Sequence, residues 1–267
     1  MKLTQNTVLA IIGAVGLGLL LNECRSGSMS SAEIAARLAK STVGIKGHFK
    51  VWGLVVDDDY SWSGSGVLIS RDGGHYTILS NAHVIGTDAI TDAKWFMEPR
   101  ILAFGLEVKM PDGQIAPARA VFVNNHRKDF ALVHVDASVG NYPILPLKEQ
   151  RVEVGAQVFA MGDPLGLSQT FSSGTVSAHR STKTGVELVQ HTAPISHGNS
   201  GGPLVDDHCT LLGINTMVFD DGTAQNLNFA ITAHTIMQSG GEWVTFPLTP
   251  PEIGPFVVRL KKGQASQ

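Results

Sequence analysis

The sequence predicts an all-β protein with a single short helix near its start. Three observations carry that expectation. Twenty-nine glycines in 267 residues, with only 7% aromatics, suit a chain that turns often. Short β-branched and apolar runs recur from Thr42 to Ile231, separated by Gly, Pro, Asn and Asp clusters. Helical spacing of apolar residues after the N-terminal segment is confined to Ser31–Lys40, where Ile34 and Leu38 share a face.

Composition narrows the function classes. Charged residues are 16% and the net charge is −3, with no basic stripe, so nucleic acid is not an expected partner. The length allows a substantial core. Cys24 and Cys209 are the two cysteines, too few for a disulfide framework. His208-Cys209 has no spaced partner pair and reads as a turn rather than half a metal site.

Taken in order, Met1–Leu21 reads as a targeting segment: Lys2 supplies the positive start and an apolar run extends from Val8 to Leu21. As a helix at about 1.5 Å per residue it falls short of the ~30 Å hydrocarbon core. A signal peptide fits that length, but no small-x-small cleavage site follows. Leu21-Asn22-Glu23-Cys24 has the wrong residue before its Cys for lipidation. The alternative is a retained membrane anchor over residues 5–22. Either outcome exports the remainder, to the bacterial periplasm or another extracytoplasmic space. Residues 1–28 are therefore assigned to this segment and a polar linker.

Ser31 is the expected cap of the helix, with Lys40 at its C-terminal end. Strands begin at Thr42. His48–Trp62 reads as a strand, an acidic tip at Asp57-Asp58-Asp59, and a return; the aspartates lack calcium-loop spacing and are read as a solvated turn. Ser63-Gly64-Ser65-Gly66 reads as a turn into Val67–Ser70, and Arg71–Gly74 closes a hairpin onto Tyr76–Ser80. Asp88–Arg100 reads as loop. Ile101–Met110 and Ala118–Val123 read as strands around Pro111-Asp112-Gly113, and a further strand opens at Asp129. Asn141–Leu147 links the two halves. Strands at Val152–Gly162, Thr170–His179, Val186–Thr192, Leu211–Thr216 and Leu227–Ile231 complete the chain, and a proline-bearing tail follows Ser239.

Three motifs carry chemistry. In His197-Gly198-Asn199-Ser200-Gly201-Gly202-Pro203-Leu204, glycines allow a tight turn that aims successive N–H groups into one concavity beside a seryl oxygen. Upstream, Asn81-Ala82-His83-Val84-Ile85 follows a strand directly. Between them, Asp129-Phe130-Ala131-Leu132-Val133 places a carboxylate at the edge of an apolar strand. A histidine, a carboxylate and a serine beside N–H donors are the residue types that acyl transfer uses.

Gly-Asn-Ser-Gly-Gly-Pro-Leu closely resembles the nucleophile loop of trypsin-like serine proteases, and the Asn before the Ser resembles their HtrA/Deg branch. The resemblance covers about Ser31 to Ala233. It implies two six-stranded antiparallel β-barrels of chymotrypsin type, about 41–146 and 150–238, within a protease domain of 29–240. It implies a serine endopeptidase acting on peptides or unfolded exported proteins, with no cofactor and no metal. His83, Asp129 and Ser200 are the implied triad, and the backbone N–H groups of Gly198 and Ser200 the oxyanion hole. Ile195 falls at the pocket floor, Thr216, Met217 and Val218 where substrate pairs, and Asn226 and Asn228 on the far wall. No acidic residue occupies the floor, so a small or medium apolar P1 residue is expected.

The chain also departs from the family. Asp163 and Leu165 replace the Asn and Phe of the Gly-Asn-Pro-Phe-Gly-Leu run, and Phe130 replaces Leu. His197 replaces a Pro before Gly-Asn-Ser; without that fixed φ the hole is expected to be less preformed and basal activity low. Residues 241–267 are read as a tail too short for the PDZ domain of many relatives. The family is often trimeric, which makes a homo-trimer the implied assembly. The competing reading is a catalytically latent protease-fold domain that binds peptides or partners.

Overall fold

The computed structural model describes residues 27–52, 57–72, 74–86, 100–118, 120–124, 128–136, 138, 140–163, 169–219, 227–239 and 243–247. The apolar segment, Cys24, most of 88–100, Pro164-Leu165, Asn226 and residues beyond 247 lie outside them. Among the described residues no helix is long and apolar enough to cross a membrane.

The chain opens with α1 (Ser31–Ser41). Its cap is Ser30, one residue earlier than expected, because Ser30 and Glu33 satisfy each other's backbone N–H groups in a capping box. Ile34 and Leu38 are fully buried. They enter a cluster with Leu79, Phe130, Phe159 and Leu211, which come from both halves of the molecule. Burying each such side chain contributes roughly 1.5–3 kcal/mol, so the helix seals the seam between the halves.

The first half contains β1 (Thr42–Trp52), β2 (Asp57–Asp72), β3 (His75–Ser80), β4 (Arg100–Lys109), β5 (Ile115–Pro117), β6 (Ala120–Asn124) and β7 (Ala131–Asp136). The second contains β8 (Gln157–Gly162), β9 (Thr170–Ser181), β10 (Glu187–His191), β11 (Pro203–Val205), β12 (Leu211–Phe219) and β13 (Leu227–Thr232), then α2 (Ala233–Gln238), after which β14 (Trp243–Pro247) returns to the first half. The second half closes as the expected six-stranded antiparallel barrel, in the order β10-β13-β12-β11-β8-β9. The first is an eight-stranded antiparallel sheet in the order β14-β6-β7-β3-β2-β1-β4-β5. β5 at one edge approaches β7 near the other, so the sheet curls toward closure.

Several sequence expectations shift. Asp57, Asp58 and Asp59 form no tip; they lie on β2, paired with Trp52, Val51 and Lys50. Ser63–Gly66 is not a turn but the middle of the same strand, paired with Lys46–Val43. Its glycines serve close packing: a Cβ at Gly64 would overlap Val84, and one at Gly66 would overlap Ile78. Ala118 precedes β6 rather than opening it. β8 begins at Gln157 instead of Val152. Trp243–Pro247, assigned to the tail, adds β14 antiparallel to β6 at the sheet edge.

Cys209 sits in a turn, as expected. It is buried, and burial pushes its thiol pKa up to about 11. Asp206, Asp207 and His208 bring ligand-type atoms within 4.8 Å of one another. Asp206 is already engaged, however, accepting from the N–H groups of His208 and Thr210 and from the Lys148 ammonium at 2.7 Å.

Candidate active site

Three short connections converge between the two halves. β3 runs into Asn81-Ala82 and a 3-10 turn at His83–Ile85 that ends at Gly86 in the left-handed region. The Trp62 indole N–H donates to the Val84 carbonyl at 2.6 Å, which pins this turn to β2. Asp129 stands two residues before β7 rather than opening it, and its φ is +49°. A left-handed non-glycine residue costs on the order of 1 kcal/mol or more, although Asp tolerates the region better than most. Here neighbours hold it: the Asn81 side-chain amide donates to the Asp129 carbonyl at 2.9 Å, and the His83 backbone N–H donates to Oδ1 at 3.0 Å. The adjacent Phe130 is fully buried in the core shared by both halves.

The His83 ring meets the same carboxylate. Nδ1 lies 2.9 Å from Asp129 Oδ1 and 3.0 Å from Oδ2. With the carboxylate ionised, Nδ1 carries the ring proton and Nε2 is left as the base. A third donor, the Thr216 hydroxyl, reaches Oδ2 at 2.7 Å. Sequence reasoning placed Thr216 only where substrate would pair; its bond to Asp129 had no signal beyond a hydroxyl near a strand's middle.

The serine loop comes from the other half. Asn199 N–H donates to Ser196 O at 3.0 Å, and Gly198 has φ +95°, so Ser196–Asn199 is a turn with its glycine in the left-handed position. Gly202 N–H donates to Asn199 O (2.9 Å), and Gly201 N–H to Asn215 O (2.8 Å). Gly201 has φ +83°, and a Cβ there would overlap the Ser65 carbonyl and the Ser80 hydroxyl. The backbone N–H groups of Gly198 and Ser200, by contrast, meet no acceptor among the described residues. Two unpaired donors thus flank the seryl side chain. Ser200 Oγ itself donates to the Thr216 carbonyl at 3.4 Å, so Thr216 touches Asp129 through its side chain and Ser200 through its backbone.

The expected pocket residues divide. Ile195 is half-buried and packs against the core of the second barrel. Met217 and Val218 lie on β12, paired with Phe229 and Asn228. Asn228 is 3% exposed, and its amide is spent on the Ala193 carbonyl at 3.0 Å and, more weakly, on His191 at 3.5 Å. It clamps the segment entering the serine loop rather than presenting a free polar group. His191, next to that clamp, is fully buried; burial pushes its pKa down to about 4, against smaller opposing effects of Asn215 and the Ala193 backbone.

Comparison with known proteins follows the same residues. A family model described as Trypsin-like peptidase domain matches residues 64–214, which contain His83, Asp129 and Ser200. The chain is 35% identical over 177 residues to serine endoprotease DegS of Escherichia coli, covering 63% of this chain and 44% of that one. It is 34% identical over 180 residues to a probable periplasmic serine endoprotease, DegP-like, of Halomonas elongata, covering 65% and 33%. The chain thus spans less than half the length of these relatives. A crystal structure of the serine endoprotease from Yersinia pestis superposes with a TM-score of 0.57 at 30% identity, covering 80% of this chain and 66% of that one.

Proposed function

Since the chain belongs to the trypsin-like peptidase domain family, we propose that it is a serine endopeptidase that hydrolyses peptide bonds through an acyl-enzyme. In this reading Ser200 is the nucleophile and His83 Nε2 takes its proton. Asp129 holds the ring and stabilises its charged form. The N–H groups of Gly198 and Ser200 receive the oxyanion. The observation that carries the reading is the pair of N–H donors at Gly198 and Ser200 that meet no acceptor among the described residues, while the N–H groups of Asn199, Gly201 and Gly202 in the same loop are bonded. Labelling with a fluorophosphonate probe tests it: wild-type protein labels, Ser200→Ala does not, and unlabelled folded wild type would count against it. Removing Ser200 or His83 should lower kcat by about 10⁶.

Substrate is expected to pair along Thr216–Val218 with a small or medium apolar P1 residue near Ile195, since no Asp or Glu stands at the sequence position of the pocket floor. A peptide-library profile dominated by Lys or Arg at P1 would overturn this. The described periplasmic location of the Halomonas elongata relative, together with the apolar run 8–21, supports an extracytoplasmic enzyme acting on exported or unfolded proteins. Retention of residues 5–22 as an anchor and assembly as a homo-trimer belong to the same proposal; fractionation and sizing of the full chain test them. The peptidase unit is proposed as residues 29–240, and the pairing of β14 with β6 supports extending it to 247.

One observation favours the second reading, a latent domain. Ser200 Oγ is directed at the Thr216 carbonyl. Uncomplexed sites commonly show loose geometry between nucleophile and base. If labelling appears only after an unfolded protein substrate is added, the latent state is the resting one.

A further inference from the structure

We propose that Ser65 is a positioning residue that fixes the oxyanion loop from the opposite half of the molecule; this rests on the peptidase reading above. Ser65 is fully buried in the middle of β2, the only hydroxyl between two glycines that let the strand pack closely. It grips the serine loop twice. Its backbone N–H donates to the Ser200 carbonyl at 2.8 Å, and its hydroxyl donates to the Gly198 carbonyl at 2.6 Å. The direction of the second bond is set, because the same hydroxyl oxygen accepts the Asp163 N–H at 2.9 Å. Asp163 is held in turn by the Lys109 ammonium at 3.3 Å.

The consequence falls on one peptide unit. The Gly198–Asn199 peptide is fixed at both ends, its carbonyl by Ser65 and its N–H by Ser196. The next peptide is held by Gly202 at its carbonyl, and the Ser200–Gly201 peptide by Ser65 and Asn215. Of the four peptides from His197 to Gly201, only His197–Gly198 is bonded at neither end among the described residues. Its N–H is the proposed hole donor. The direction of that N–H is governed by the Gly198 φ, and Ser65 anchors the far side of that torsion. Without the hydroxyl, the Gly198–Asn199 peptide loses one of its two fixings. The donor then averages over more directions, which weakens transition-state stabilisation and leaves substrate pairing on β12 untouched.

The test replaces the hydroxyl and separates three readouts. In Ser65→Ala, fluorophosphonate labelling and kcat are expected to fall about 10- to 100-fold, less than the ~10²–10³ for outright loss of a hole donor. Affinity for an uncleaved peptide, measured in the Ser200→Ala background, should stay within about 2-fold. Ser65→Cys, nearly the same size with a weak donor, should fall between wild type and Ser65→Ala, and it carries the test if Ser65→Ala does not fold. Amide exchange at Asn199 should quicken in both variants whether or not the protein is active. The proposal is overturned if kcat stays within about 2-fold, if peptide affinity falls as much as kcat, or if Asn199 exchange is unchanged. If wild-type protein itself fails to label, the peptidase reading fails, and Asn199 exchange alone then decides for or against Ser65.

Discussion

Thr216→Val isolates one bond of the proposed triad. The Thr216 hydroxyl donates to Asp129 Oδ2 at 2.7 Å, and Thr216 is 7% exposed, so a valine of nearly the same shape fills the site. The backbone carbonyl that Ser200 touches is unchanged by the substitution. A hydrogen bond to a charged acceptor contributes about 1.5–3 kcal/mol. The Asp129 side chain is 36% exposed, so water partly replaces the lost donor, and His83 still supplies its backbone N–H and its ring. A net loss of about 1–2 kcal/mol remains, equivalent to about a 5- to 30-fold fall in kcat/KM. The fall should appear in kcat, because the bond steadies a carboxylate that works hardest when His83 is charged. The assay is steady-state cleavage of one peptide, with Thr216→Ser as the variant that restores activity. A change under about 2-fold, or a collapse as large as that from Ser200→Ala, would refute the role given to Thr216.

Other perturbations have equally definite outcomes. Gly201→Ala places a Cβ against the Ser65 carbonyl and the Ser80 hydroxyl at φ +83°; a loss above about 3 kcal/mol is expected, read as a lowered denaturation midpoint or no folded protein. Asn228→Leu strips the donor from the Ala193 carbonyl and should cost about 1–3 kcal/mol of stability, with a raised KM in peptide cleavage. Acid should destabilise the fold. Burial pushes His191 and His134 down to about 4 from 6.5, His134 with a further contribution from His75. The unfolded chain therefore takes up protons first, so the stability these groups contribute is complete above about pH 6.5 and is lost as pH falls toward 4. The slope should approach about 1.4 kcal/mol per pH unit for each proton, and His191→Gln should flatten a urea-denaturation series across that window. His197→Pro addresses basal activity: position 197 precedes the left-handed Gly198 in the turn, where proline presets φ. Stiffening worth about 0.4–1 kcal/mol should raise the labelling rate about 2- to 5-fold; an unchanged rate and pH profile would remove His197 from the argument.

What the sequence disclosed, and what it hid, follows from the range of each signal. His83, Asp129 and Ser200 could be singled out as candidates because their motifs are local runs. Strand positions were legible because short apolar runs bounded by turn residues mark them, as in Tyr76–Ser80 and Leu211–Thr216. Ser63–Gly66 misled because glycine marks turns and close packing alike, and only Val84 and Ile78 across the gap decide which. The aspartates at 57–59 misled because charge suggests a tip, whereas pairing with Lys50–Trp52 keeps them on a strand. Thr216, Asn228 and β14 were invisible in their roles, since each is defined by a partner far away in the chain: Asp129, Ala193 and β6.

That pattern points to where the site's precision resides. The first half supplies His83 and Asp129 and the second supplies Ser200 and its loop, so neither half holds a complete set. Two hydroxyls at the site reach across the seam. Thr216 crosses from the second barrel to Asp129, and Ser65 crosses from the first sheet to the carbonyls of Gly198 and Ser200. Each is a buried side chain whose hydroxyl donates across the seam at 2.7 Å or less, so a small shift of one half against the other would break it. Behind them, α1 and the core shared by Phe130 and Phe159 resist such a shift through apolar burial. In the proposed mechanism, the alignment of base and nucleophile is therefore a property of the seam. Substitutions along it should cost activity before they cost stability, whereas substitutions inside either half, such as at Val189 or Val133, should do the reverse.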